Sequence, residues 1–429
     1  MSPAERLNRI SEQGLCVGCG LCQTIAGPHR VRVEMTPTGY ERPVIVGDID
    51  HATVDKIYDI CPGVRVEGLP EGLLDPSTQH DKVWGAYRRV VRAFASDPDI
   101  RHRASTGGVL TALGVYLLQS KRVNSILQVA TSKEFPTCGE RHLSLSQADV
   151  IECSGSRYGP AAPLVGLDTV LDRAEPFAFI GKPCDVAALR NYARHDKRVD
   201  ELCRYQLVMV CGGYMEPKAM RRFLEEFGVP MDDLSALRYR GFGCPGPTRM
   251  ETKDGRVVER NYLDFWGEDE SAWSLPFRCN VCPDGIGEAA DIAAADTWPG
   301  GSPTWEGQDD DLGTNAVIAR TAAGLELMEA AAADGAITLE SDIDITMRDM
   351  DNYQPHQVAK KYMAWPRYAG LRASGQLFPQ TQRLRIRELA LENGLAENLR
   401  QAKGTKKRVQ HGRNCEPTPV ALVAEDASQ

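Results

Sequence analysis

The sequence predicts an α/β fold with a cysteine-rich lead-in and a helical end. Three observations carry that reading. Apolar runs such as "PFAFIG", "YQLVMV" and "NSILQVATS" have strand length and end in Gly, Pro or polar turns. Helical stretches such as "VLTALGVYLLQSKRV" and "PKAMRRFLEEFG" alternate with them, the order of βα units around a largely parallel sheet. Ahead of all this, "CVGCGLC" stands in a loop-rich, short-stranded segment.

The elements follow in order. Over 1–75, "HRVRVEMTPTGYERPVIV" reads as two strands around a Thr-Gly turn, and "DHATVDKIYDICPG" as a short helix ending at Cys61. "EGLPEGLLDPSTQHDK" is a polar, Pro-containing connector. The body spans 83–345. There "RRVVRAFAS" is a strand, "DPDIRHRASTGG" a polar loop, and "VLTALGVYLLQSKRV" the helix after it. "PFAFIGKPCDVAALRNYARHD" repeats strand, turn and helix, and "YQLVMVCGGYM" ends a strand in a cysteine and two glycines. "TRMETKDGRVVER" is a hairpin with an Asp-Gly turn. A helical extension covers 346–403 and includes "RLRIRELALENGLAENLRQAKG"; the tail 404–429 is expected to lack structure.

The chain has 429 residues, a formal charge of −9 and 13 cysteines. The negative charge argues against a nucleic-acid partner, because phosphate binding needs a basic surface. No apolar run reaches the roughly 20 residues that span a bilayer, and the polar start "MSPAERLNRI" does not read as a signal peptide. A cytoplasmic location is expected. In that compartment clustered cysteines act as metal ligands or redox groups rather than as disulfides. The sequence leaves a homo-oligomer open.

Cys16, Cys19 and Cys22 form CxxCxxC, and Cys61 is followed by proline. Three close cysteines and a remote Cys-Pro are the ligand pattern of a 4Fe-4S cluster. The short spacing lets one loop wrap three corners of a cubane, and Gly18 and Gly20 permit the tight turn. A zinc knuckle is the competing reading, but zinc sites usually pair two CxxC units. Residues 1–75 are therefore read as a ferredoxin-like iron–sulfur segment. A second metal candidate is the CxxC of Cys279 and Cys282, whose partners come from Cys153, Cys184, Cys211 and Cys244. Cys184 and Cys211 stand just past strand ends, where an α/β sheet binds its ligands; this placement favours Cys184 first and Cys211 second, with Cys244 in the Gly/Pro loop "RGFGCPGP" a competitor.

"RHRASTGGVLTALG" turns from a strand into a helix through Ser105, Thr106, Gly107 and Gly108. Glycines admit a flat ring or a phosphate to the backbone, and Arg103 adds positive charge. A simple N-cap by Ser105 or Thr106 explains the same residues. "DGIGEAA" fits GxGxxA at Gly285, Gly287 and Ala290, but it follows a Cys-Pro loop rather than a strand and is read as a decoy. The basic run of Lys403, Lys406, Lys407, Arg408 and Arg413 reads first as a solvated tail, with docking of an acidic redox protein as the sharper alternative.

"CVGCGLC" with its distant "CP", then "STGG", "GKPCDVAALR", "RYRGFGCPGP" and "RCNVCPD" with "ADIAAADTW" occur in an order that resembles the beta-subunit family of deazaflavin-dependent hydrogenases and dehydrogenases. Members are iron–sulfur flavoproteins. Some are electron-transfer subunits of hydrogenase or formate dehydrogenase complexes; others are ferredoxin-dependent reductases, including tetrapyrrole reductases. The resemblance implies a mixed α/β flavin-binding body, FAD near Ser105 to Gly108, and a cluster drawing on Cys184, Cys279 and Cys282. Two functional readings follow. In the first, a ferredoxin-type donor feeds electrons through two 4Fe-4S clusters and FAD to a small organic substrate. In the second, the chain is the electron-transfer subunit of a larger complex using a deazaflavin. A zinc-stabilised binding module is a third. Lys182, Tyr158 and His102 are the candidate proton donors.

Overall fold

The computed structural model describes residues 1–267, 274–304 and 311–422. At its centre is an eight-stranded mixed sheet. In chain order its strands are β1 (Arg89–Ala95), β2 (Ser125–Thr131), β3 (Gly139–Ser144), β4 (Phe177–Gly181), β5 (Cys203–Met209), β6 (Ile292–Asp296), β7 (Asn315–Ala319) and β8 (Ile337–Leu339). Their order across the sheet is β8-β1-β7-β6-β5-β4-β2-β3. The central β6, β5, β4 and β2 run parallel, while β3, β7, β1 and β8 pair antiparallel with their neighbours. The sheet is thus less parallel than expected. The loop 132–138 between β2 and β3 is too short for the crossover that a parallel pair needs, so β3 turns straight back. The carboxyl ends of β1, β2, β4, β5 and β6 still share one edge.

Alternation along the strands feeds two cores. In β4, Phe177 and Phe179 join one cluster and Ala178 and Ile180 the other. On the second side lie α1 (Val109–Gln119) and α3 (Ala322–Ala333). On the first lie α2 (Pro183–Tyr192), the N-terminal segment, and α4 (Pro355–Arg372). Pro183 at the start of α2 suits a helix start, where no amide hydrogen is needed. A three-stranded sheet of 234–238, 248–252 and 257–260 packs separately with the helix Pro217–Glu226 and the rings of Phe265 and Trp266. The Gly-rich "DGIGEAA" stretch is loop, followed by β6 and not by a helix. Among the described residues no helix is long and apolar enough to cross a membrane.

Two C-terminal expectations change. The long helical stretch breaks at Asn393-Gly394, so that Ile386–Glu392 and α5 (Leu395–Gln410) are separate helices. Gly is the poorest helix former after Pro. The tail read as structureless from 404 continues as helix to Gln410, because Thr405 is buried against Gly370 of α4. Beyond the helix the chain runs back along the N-terminal segment. Glu416 takes Nε and Nη2 of Arg42 at 2.6 and 2.8 Å, and Glu416 N–H donates to the Glu12 carbonyl. Arg42 is only 2% exposed. Glu416→Ala leaves that guanidinium buried without its counter-ion and is expected to cost about 2 kcal/mol, read as a lower urea midpoint.

Candidate functional site

Three cavities adjoin one another, two at the carboxyl edge of the sheet and one in the N-terminal segment. The outer one is lined by Cys16, Cys19, Cys22 and Cys61 amid apolar side chains such as Leu7, Ile10 and Ile57. Its atom-free space is about 440 Å³, part of it open to solvent. Gly18 and Gly20 have φ of +74° and +90°, and a Cβ on Gly20 would stand 2.3 Å from the Val165 side chain. Only glycine lets the loop turn here. The Gly18 N–H donates to Cys16 Sγ at 3.4 Å, and the backbone of Leu21, Gln23 and Gly63 favours the charged forms of Cys19, Cys22 and Cys61.

The middle cavity is lined by Cys184, Cys211, Cys279 and Cys282, and by Cys16 and Val17 of the outer one. Cys184 opens α2 after β4, and Cys211 follows β5, so both arrive from the carboxyl edge. The other two come from the short helix Phe277–Asn280 and the turn after it. Buried Arg278 donates to the Pro62 carbonyl through Nε (3.1 Å) and Nη2 (2.7 Å), tying this loop to the one that carries Cys61. Helix α4 clamps the same loops. Gln357 Nε2 donates to the Cys211 carbonyl (2.8 Å), Lys360 Nζ to the Gly212 carbonyl (2.6 Å), and Tyr368 OH to the Val281 carbonyl (3.1 Å). Lys361, one turn on, is ion-paired with Glu288.

The donor sets fit iron–sulfur clusters. Burial, and then the neighbouring Cys16, pushes the Cys61 thiol up to about 12; burial, with Cys211 and Cys282, does the same for Cys279. Four such thiols ionise together only around a cationic centre. Among the described residues no three His, Cys, Asp or Glu side chains converge as a single-ion site. Each cavity presents four thiols, the donor number and type of a 4Fe-4S cluster.

The third space is a cleft of about 1660 Å³, part of it open to solvent. It shares Lys182 and residues 211–214 with the middle cavity. Its floor is the loop after β1. Ser105 Oγ accepts the Ser156 N–H (2.7 Å), and Asn315 Nδ2 donates to Thr106 Oγ1 (2.8 Å). Arg240 lies against the rings of both Tyr262 and Trp298, 5.0 and 4.7 Å from their centroids. Its Nη1 meets Tyr158 OH (3.1 Å) and Asp296 Oδ2 (3.0 Å), and its Nη2 the Ser105 carbonyl (2.9 Å). Lys182 is 3.0 Å from Asp185. Burial opposes its charge, but Asp185 and Cys184 outweigh this and raise its pKa. His356 also lines the cleft; burial, then Lys360, lowers it to about 3, so it stays neutral.

Residues 90–167 match the sequence model of the family described as coenzyme F420 hydrogenase/dehydrogenase, beta subunit N-term, and residues 174–344 match that of its C terminus. The two spans take in more than half of the chain. The chain belongs to this family. It is 22% identical to an uncharacterized protein of Methanocaldococcus jannaschii over 77% of this chain and 90% of that protein. It is 25% identical to the coenzyme F420 hydrogenase subunit beta of Methanococcus voltae, over 51% of this chain and 75% of that subunit. The coenzyme F420-dependent sulfite reductase of M. jannaschii is 21% identical over 78% of this chain and 49% of its own length.

In this member of the beta-subunit family, the matched spans carry most of the lining of the cleft and the middle cavity, whereas Cys16 to Cys61 and α4 lie outside them. Of the residues singled out from sequence, Ser105, Thr106, Gly108, Tyr158 and Lys182 line the cleft. Gly107 does not; a Cβ there would stand 2.8 Å from Asn315, so it is backed against β7. His102 and Arg103 are exposed on the far side of the loop, around Phe242, with His102 edge-on to that ring at 5.7 Å. The short helix Pro98–Arg103 turns them out, because Arg101 is held by the Gly313 carbonyl and the Phe94 ring. Cys153 lines the cleft and Cys244 the space beside His102, which leaves Cys211 as the thiol grouped with Cys184, Cys279 and Cys282. Sequence reasoning missed Arg240, Asp296 and Trp298 as site residues, although "RYRGFGCPGP" and "ADIAAADTW" contain them.

Proposed function

We propose that the chain is an iron–sulfur flavoprotein that passes electrons between one-electron carriers and a two-electron deazaflavin coenzyme, as the electron-transfer subunit of a larger oxidoreductase. The observation that carries this reading is the unbroken series of cavities, in which Cys16 belongs to both the outer and the middle one, and Lys182 and Cys211 to both the middle one and the cleft. Relatives named as beta subunits of coenzyme F420 hydrogenase and of F420-dependent formate dehydrogenase favour it over a stand-alone reductase of another organic substrate.

In this reading Cys16, Cys19, Cys22 and Cys61 hold one 4Fe-4S cluster, and Cys184, Cys211, Cys279 and Cys282 a second. The loop 105–108 and Arg240 seat FAD. A bound flavin supplies the conversion between single electrons and a hydride, which clusters alone cannot make. The chain's own groups position and insulate. Tyr158, Tyr262 and Trp298 wall the cleft, and Lys182, between the middle cavity and the cleft, holds a proton at Nζ where charge would change. His102, outside the cleft, is no longer a proton-donor candidate.

Anaerobic purification with iron, sulfide and flavin assays on one sample tests the scheme. About eight irons and one flavin per chain are expected. About four irons would remove the middle cluster, and a colourless zinc protein would sink the redox reading altogether. Copurification with a large catalytic subunit would support the complex.

A further inference from the structure

We propose that the C-terminal half of α5 is the docking surface for an acidic one-electron carrier protein, which delivers its electrons at the Cys16–Cys61 cavity. The inference rests on the electron-transfer reading above and adds the place of entry.

The first support is charge. The chain is acidic overall, at −9, yet Lys403, Lys406 and Lys407 stand exposed on α5, with Arg413 just past its end. Among the described residues neither these four nor Arg408 forms an ion pair, and they fall within eleven residues of one another. Their field is therefore not cancelled locally. A clustered, uncompensated patch on a protein of opposite net charge selects a partner of complementary sign and speeds its encounter.

The second support is the face itself. Leu395, Leu399, Lys403 and Lys407 follow one another at i, i+4 spacing, so they form a single winding row. Leu395 and Leu399 are 74% and 48% exposed, and Leu391 before them is 80% exposed. A small apolar strip beside a basic rim is the make-up of a transient contact, of the small area typical of redox encounters.

The third is location. Asn414, a few residues beyond the helix, has its carbonyl 2.5 Å from where a Cβ on Gly14 would stand, and Gly14 is two residues before Cys16. Glu416 holds Arg42, whose Nη1 lies 3.7 Å from the same point on Gly18. The basic end of α5 therefore adjoins the loop that forms the outermost cavity, the one farthest along the series from the cleft.

The test uses the holoprotein with Lys403, Lys406 and Lys407 all replaced by Glu; these side chains are exposed, so folding is unaffected. Donors are a strongly acidic reduced ferredoxin and, as a small control, reduced methyl viologen. The ferredoxin rate is expected to fall about tenfold or more at low ionic strength and to lose most of its salt dependence. The viologen rate should not change, and calorimetry on the oxidised proteins should show the matching loss of ferredoxin affinity. The Lys→Arg triple variant should behave as wild type. Equal ferredoxin rates in wild type and the Glu variant overturn the docking site, as does a wild type that viologen reduces but ferredoxin does not. Failure of both donors on wild type would instead sink the electron-transfer reading.

Discussion

Cys19→Ala is expected to remove about four irons per chain and to slow reduction by a protein donor about 100-fold or more, while flavin stays bound. Cys19 is 6% exposed and contributes one of the four thiols lining the outer cavity. Three thiols do not complete a cubane. The expected loss exceeds the 10–100-fold that outer-shell changes typically bring, because a ligand itself is gone. The backbone should survive: the Cys19 carbonyl still accepts the Leu164 N–H at 2.9 Å, and Cys to Ala removes a single buried atom. The cleft is built from the carboxyl edge of the sheet, beyond the middle cavity, so flavin content should not move. Cys138→Ala is the control, since Cys138 is equally buried and lines none of the three spaces. Iron loss in both variants would point to general destabilisation. Wild-type turnover of Cys19→Ala with the protein donor would show that electrons enter elsewhere.

How far this arrangement was legible in the sequence depends on how local each signal is. The strand–turn–helix unit over "PFAFIGKPCDVAALR" could be read because an apolar run, a Gly and a Pro fix it within about fifteen residues. The CxxCxxC run could be read for the same reason: its ligands are neighbours in the chain. The fourth thiol of the middle cavity could not be singled out from Cys153, Cys211 and Cys244, because the choice depends on which strand ends lie side by side. The sheet order that decides it interleaves β6 and β7 between β1 and β5, and no local pattern encodes that. His102 and Arg103 were misplaced by two or three residues' reach; a single turn of helix sends them to the opposite side of a loop whose next residues do line the cleft. The role of α4 was hidden differently. Its buried face carries Gln357, Lys360 and Lys361, polar residues that a hydrophobic pattern assigns to solvent, and they are inside because the loops of the middle cavity offer carbonyls and a carboxylate to receive them.

That inward polar face makes Lys361→Met a costly single change to stability. Lys361 and Glu288 are each 2% exposed, and Glu288 has one further partner, the partly exposed Arg385. Methionine keeps the length and volume of the lysine, so the cost is electrostatic rather than that of a cavity. Removing one partner of a buried pair typically costs 3–5 kcal/mol; with Arg385 remaining, about 3 kcal/mol is expected. Burial pushes the Glu288 carboxyl up, but Lys361 and Arg385 outweigh it, and its pKa lies below the ordinary value in the folded chain. A carboxyl depressed on folding contributes stability above its unfolded pKa of about 4.3, and that contribution is lost as pH falls through the lower folded value. The gap between wild type and Lys361→Met should therefore be widest near neutral pH and narrow below about pH 4. Glu288→Gln combined with Lys361→Met removes the carboxylate paired with Lys361, leaves buried Asp284 without its nearest cation, and should recover part of the loss. A double variant as unstable as the single one would refute the electrostatic account, and so would a single variant whose urea midpoint at pH 7 equals that of wild type. Because Glu288 lies six residues after Cys282 and its loop packs against Cys211 through Gly285, iron should leave the middle cavity of Lys361→Met before it leaves the outer one. Partial urea treatment followed by iron counting separates that local loosening from global unfolding.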